Sequence, residues 1–180
     1  MTRLRIGGLV VATILWCAAS GAGQASSGIS RQYAKYLSEL QEPDLASSRD
    51  TAETYRAFWL RSFHEAVSVR IFHRGDSYTV ITVQGTRHDS STFTPRTWNA
   101  LHLRDAMKRF WTTQPIPLQG GQSGRDGARW ILEGRHGSRY HAVDWWSPSQ
   151  SARGVEGGYG RLFLEILSIG TVCVAPDAVY

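Results

Sequence analysis

RWILEGRHGSRYHAVDWW, residues 129–146, decides the fold. Apolar and polar side chains alternate on both sides of His136-Gly137-Ser138, the period of two that marks a strand, and the glycine sits where a tight reversal needs one. Pairing Arg135 with Tyr140 puts Trp130 opposite Trp145, Leu132 opposite Val143 and Gly134 opposite His141, all on one side. Arg129, Ile131, Glu133, Tyr140, Asp144 and Trp146 share the other side. Gly134 has no side chain, so this register leaves room for the His141 ring to lie over the backbone.

Outward from there, Val67–Arg74 and Ser77–Gln84 flank Gly75-Asp76 and form a second hairpin, pairing Ile71 with Val80, Val69 with Thr82 and His73 with Tyr78. Its other face carries Arg70, Phe72, Thr79 and Ile81. The aromatic run 55–60 reads as one more strand. Ile29, Tyr33, Tyr36, Leu37 and Leu40 recur at helical spacing up to Pro43, and residues 42–51 read as a loop. Thr94-Pro95 opens a helix with Leu103, Ala106, Met107, Phe110 and Trp111 as its apolar stripe, stopped by Pro115 and Pro117. Residues 119–127 make a glycine-rich connector without the lysine of a phosphate-cradling loop. A last amphipathic helix carries Tyr159, Leu162, Phe163, Ile166 and Leu167, with Gly170 past its end. The expected fold is a single α+β domain: an antiparallel sheet of four or five strands, built from two β-hairpins, with helices packed on one face.

Asp126-Gly127-Ala128-Arg129-Trp130-Ile131-Leu132-Glu133-Gly134, then Tyr140-His141-Ala142-Val143-Asp144 and Trp146-Ser147-Pro148, resembles the core of a family of small bacterial proteins. That core reads D-G-A-x-W-x-x-E-G … Y-H-x-V-D-x-W-S-P. The likeness extends upstream over Tyr55-Arg56-Ala57-Phe58-Trp59-Leu60-Arg61-Ser62-Phe63-His64 and over Thr94-Pro95, Trp98 and Phe110-Trp111, covering residues 54–168. It implies one small α+β domain. No activity is established for that family, so the resemblance transfers no catalytic residue.

The first 25 residues say where the chain works. Arg3 and Arg5 precede an uncharged apolar run, 6–19, followed by small residues at Ser20-Gly21-Ala22-Gly23-Gln24-Ala25. That is the layout of a secretory signal peptide cleaved after Ala22 or Ala25, and it implies a periplasmic or extracellular protein with no stable membrane insertion after cleavage. The chain then divides into the signal peptide (1–25), an N-terminal helix and loop (26–53), the α+β core (54–170) and a C-terminal tail (171–180). Trp16, not a small residue, precedes Cys17, which argues against lipid attachment. Cys173 would remain alone, so packing rather than a disulfide must hold the fold. Every basic residue but Lys35 and Lys108 is an arginine. The arginines are scattered among acids, not gathered in a nucleic-acid-binding stripe.

Candidate chemistry is sparse. Glu133, His141 and Asp144 are the residues from which a hydrolase could be assembled, but alternation sends the two acids to the face opposite His141. Arg129 and Arg135 beside the acids suit an ion-pair lattice better than acid–base work. His64-Glu65 and His136 lack the spacing that sets two histidines on one helical face, so no metal or cofactor is expected. Ser147 lacks the surround of a nucleophile elbow. The expected function is a non-catalytic binding or accessory module for a protein or envelope component, using Arg129, Arg135, Tyr140 and Trp146. The alternative is a cell-envelope hydrolase using Glu133, Asp144 and His141. On the export reading the mature protein begins at Gly23 or Ser26, which N-terminal sequencing of the envelope fraction checks. An intact Met1 in the membrane pellet would make the segment an anchor instead.

Overall fold

The computed structural model describes residues 33–94, 98–112, 127–146 and 155–172. The segment expected to be a signal peptide, Ile29, Pro95, Pro115, Pro117, residues 119–126 of the glycine-rich connector, Ser147 and Cys173 lie outside the described residues. A short helix, α1 (33–39), leads into β1 (Glu53–Arg61), β2 (Val67–Arg74), β3 (Ser77–Gln84) and β4 (Arg87–Phe93). Helix α2 (Trp98–Thr112), β5 (Ala128–His136), β6 (Arg139–Trp146) and α3 (Val155–Ile169) follow.

All six strands join one antiparallel sheet in the order β4-β3-β2-β1-β5-β6. Both hairpin registers read from alternation are present: Trp130 pairs with Trp145 and Gly134 with His141, while Ile71 pairs with Val80 and His73 with Tyr78. Gly75 and Gly137 take φ of 58° in the two turns, a backbone state that a side chain resists. The first strand bridges the two hairpins, pairing with β2 on one side and β5 on the other. That position explains its aromatic content, since residues 54–59 are buried on both faces.

The sheet has six strands, not four or five. The strand missing from the alternation pattern is β4, Arg87-His88-Asp89-Ser90-Ser91-Thr92-Phe93. As the outer edge it is exposed along most of its length and needs no apolar face, so it leaves no period-two signature. Its usable signal is Gly85 in the preceding turn, at φ 55°.

Helices lie on both faces, not one. On the first face, α2 and α3 cover Tyr55, Ala57, Trp59, Val67, Val69, Ile71, Tyr78, Val80, Trp130, Leu132, Val143 and Trp145. Strand pairing aligns Trp59, Trp130 and Trp145 in one row across β1, β5 and β6. Phe163 of α3 stacks on Trp130 at 4.6 Å, a contact worth about 0.5–1.5 kcal/mol beyond the area it buries. On the second face, Tyr33 and Leu40 form a smaller core with Phe58, Val83 and Ile131. Residues 33–52 therefore complete the sheet from below.

Gly134 has a different reason from the one its register suggests. A Cβ there would lie 2.3 Å from Cε1 of Phe110, so the α2 phenyl ring, not the imidazole, occupies the space over the glycine. His141 stands beside that ring, centroids 5.0 Å apart. Gly134→Ala is expected to destabilise the protein by about 1–3 kcal/mol. Phe110→Leu in the same chain should make the added methyl markedly less costly, as compared by thermal melts of the single and double variants.

Candidate functional site

Alternation along β2, β1 and β5 brings two arginines and an acid side by side on the second face. Arg56 (β1) pairs across the sheet with Arg70 (β2) on one side and Glu133 (β5) on the other. Two adjacent arginines cannot be buried unless acids reach them. Glu133 does so from the sheet: its Oε2 accepts from Arg56 Nε at 2.7 Å and lies 2.5 Å from Nη2, while its Oε1 accepts from the Tyr140 hydroxyl at 2.6 Å. Glu42 does so from the loop after α1. Its Oε2 lies 3.2 Å from Arg56 Nη1 and 2.9 Å from Arg70 Nε. The carbonyl of Pro43 accepts a further bond from Arg56 Nη1 at 2.7 Å.

Arg56 is fully buried and Glu133 nearly so, at 0% and 2% exposure. Burial works against the Arg56 charge, but Glu133 and Glu42 more than offset it and its pKa rises. The Tyr140 phenol shifts well above its ordinary value, first through burial and then through the Glu133 carboxylate it touches. The lattice expected on an open face is thus a buried network.

A second anchor lies towards the other end of β5. Asp144 accepts from Arg129 Nε at 2.8 Å through Oδ1 and from the Tyr33 hydroxyl at 2.7 Å through Oδ2. Arg129 also sits over the Tyr33 ring, 5.7 Å from its centroid. Burial, then the bond to Asp144, holds the Tyr33 phenol well above its usual range. Arg135 donates from Nη1 to the carbonyls of Leu45 and Ala46, both at 3.0 Å, and Arg74 reaches Asp50 at 3.0 Å. Helix α1 and the segment behind it are therefore held to the sheet largely by arginines.

Of the expected binding residues, Arg129, Arg135 and Tyr140 all belong to these anchors, while Trp146 is half-buried on the same face. Of the expected hydrolase set, Glu133 and Asp144 share this face and His141 lies on the other, beside Phe110 and Tyr159. Burial lowers the His141 pKa, and its Nε2 has no hydrogen-bond partner. Among the described residues, no group of three or more His, Cys, Asp or Glu side chains is placed to hold a metal ion. No described helix is long and apolar enough to cross a membrane.

Among the residues that sequence did not assign to the site, Arg56 and Glu42 matter most, with Arg70 and Tyr33 beside them. Arg56 had a readable signal, an arginine inside an otherwise apolar strand that must find an acid across the sheet. Glu42 had none, because nothing local says that a loop carboxylate will fold back over β1. A separate chain of bonds, Trp111 Nε1 to Tyr55 hydroxyl to Glu53, each step 2.5 Å, ties the end of α2 to the start of β1. Arg56→Met is expected to destabilise by about 3–5 kcal/mol, because it strands two buried carboxylates. Arg129→Met should cost less, since Tyr33 still serves Asp144; urea melts of both variants measure the difference. No family model matches the chain, and no curated protein or solved structure matches it either.

Proposed function

We propose that this is an exported, non-catalytic binding or accessory module whose partner is a protein or another component of the cell envelope. One observation carries the reading. The two carboxylates best suited to hydrolysis, Glu133 and Asp144, are buried and each is held by an arginine and a tyrosine. Acid–base hydrolysis needs a pair of carboxyl groups flanking a substrate, with a proton kept on one of them. Here both face side chains that already satisfy them, and His141 is separated from them by the thickness of the sheet. What the second face offers is a set of arginines aimed at carboxylates and carbonyls of an overlying chain segment, which is the chemistry of segment recognition.

The experiment is a turnover screen of the purified mature protein on peptidoglycan and on common glycan and ester substrates, with Glu133→Gln and Asp144→Asn alongside. No turnover is expected from any of the three. Turnover that vanishes in either variant while its melting temperature holds would overturn the binding reading in favour of the hydrolase.

A further inference from the structure

We infer that His141 is an acid-sensitive contact between β6 and the two helices above it: protonation of its ring at Nε2 loosens the seat of α2 and α3 on the β5–β6 end of the sheet. The inference is independent of the binding-module reading, since it concerns the opposite face. The placement of the ring comes first. His141 pairs with Gly134 across β5 and β6, and because Gly134 has no side chain the Phe110 ring of α2 comes down onto the strand there. The imidazole stands beside that ring at 5.0 Å between centroids, with the Tyr159 ring of α3 at 6.5 Å. Phe110 and Tyr159 also meet each other edge to face at 6.0 Å. The imidazole therefore completes a three-ring contact that joins both helices to β6.

The chemistry of the ring makes this contact sensitive to acid. Nε2 is buried and has no hydrogen-bond partner. A neutral imidazole tolerates that, because it can keep its one proton on Nδ1 and leave Nε2 bare. The imidazolium carries an N–H at both nitrogens, so the second proton is a charged donor enclosed without an acceptor, which costs far more than an idle acceptor. Among the described residues, no acid offsets that cost. From α2 the ring meets Phe110, with Trp111 beyond it, and from β5 only the backbone of Gly134. From α3 it meets the Tyr159 phenol, whose pKa burial raises, so that group stays neutral. From β1, Tyr55 touches Phe110, but its hydroxyl is engaged with Glu53 and Trp111. On β6 itself the nearest charge on this face is another cation, Arg139, lying over the Trp111 ring at 4.8 Å. Burial alone lowers the His141 pKa.

The direction of the effect follows from proton linkage. In the unfolded chain His141 takes up its proton near the ordinary histidine value, about 6.5, whereas the folded site resists protonation until the pH is lower. Between those two points the unfolded state binds more protons, so stability is full above the window and falls as the pH drops through it. Among the described histidines, His141 is the one with a ring nitrogen both buried and unpartnered. His64, His88 and His136 are exposed, and His73 is half-exposed beside Glu53. The cost of acid therefore falls at one place, where α2 and α3 meet β6.

The test is a pair of pH series, one on the full mature chain and one on His141→Phe, which keeps an aromatic ring and removes the titrating nitrogens. His141→Leu takes its place if that variant does not fold. From about pH 7.5 to about pH 5, the melting temperature of the wild type is expected to fall about 2–4 °C further than that of the variant. On acidification, amide hydrogens of residues 98–112 and 139–146 should lose exchange protection in the wild type and keep it in the variant. Parallel melting profiles overturn the inference. So does a wild-type His141 ring that titrates by NMR at or above the ordinary histidine value. A difference in melting with no difference in protection at those two elements also overturns it, because the proton would then act somewhere other than the contact of β6 with α2.

Discussion

The Arg56–Glu133 pair, buried between the neighbouring strands β1 and β5, is the contact on which the second face of the sheet depends. A guanidinium at 0% exposure cannot be left with one acid and open donors. Its remaining valences point away from the sheet, and they are met by the carboxylate of Glu42 and the carbonyl of Pro43. Arg70 on the neighbouring strand shares that carboxylate. The network therefore requires residues 40–46 to lie where they do, and α1 follows because it is joined to them. An ion pair of this kind adds little net stability over an apolar pair of equal size, but breaking it is costly. Its main effect is to specify which segment lies on which strand.

The two faces are stabilised by different means. The first is an aromatic and aliphatic core under α2 and α3, in which the Trp59–Trp130–Trp145 row and Phe163 exclude water. That burial needs no particular partner charge, and it accounts for the sheet standing as a scaffold. The second is mixed, with a small core of Tyr33, Leu40, Phe58, Val83 and Ile131 framed by charged anchors. Apolar packing tolerates small displacements, whereas hydrogen-bonded charges are satisfied in one register. A face of this second type fixes the register of the segment that covers it.

How far the chain could be read without coordinates follows from the same division. Strands with one apolar face announced themselves through alternation, which is why both hairpins and their pairings were legible down to Trp130 opposite Trp145. Strand β4 was not, since an exposed edge makes no such demand. The apolar stripes of α2 and α3 were legible from spacing, with Leu103, Phe110, Phe163 and Ile166 all buried. Placement of α1 on the opposite face was not, because its few apolar residues fit either side equally well. The deciding contacts are polar and span 111 residues for Tyr33–Asp144 and 14 for Glu42–Arg56.

Glu133 illustrates why composition alone misjudges such a site. On the sequence it stands with Asp144, Arg129 and Arg135, a group whose members look interchangeable and solvent-facing. In the fold each takes a different role: Glu133 neutralises Arg56, Asp144 receives Tyr33, Arg129 steadies Asp144 and Arg135 grips main-chain carbonyls. Only the Arg129–Asp144 pair is visible from the hairpin itself; Arg56, Tyr33 and the Leu45 and Ala46 carbonyls come from β1 or from the segment before it. The covering segment also changes what the arginines mean. Exposed, they would contribute a diffuse positive field; covered, they become position-specific donors whose strength rises as water is excluded. The same residues therefore fasten residues 33–52 in one position, because they require carboxylates and carbonyls at fixed points above the sheet.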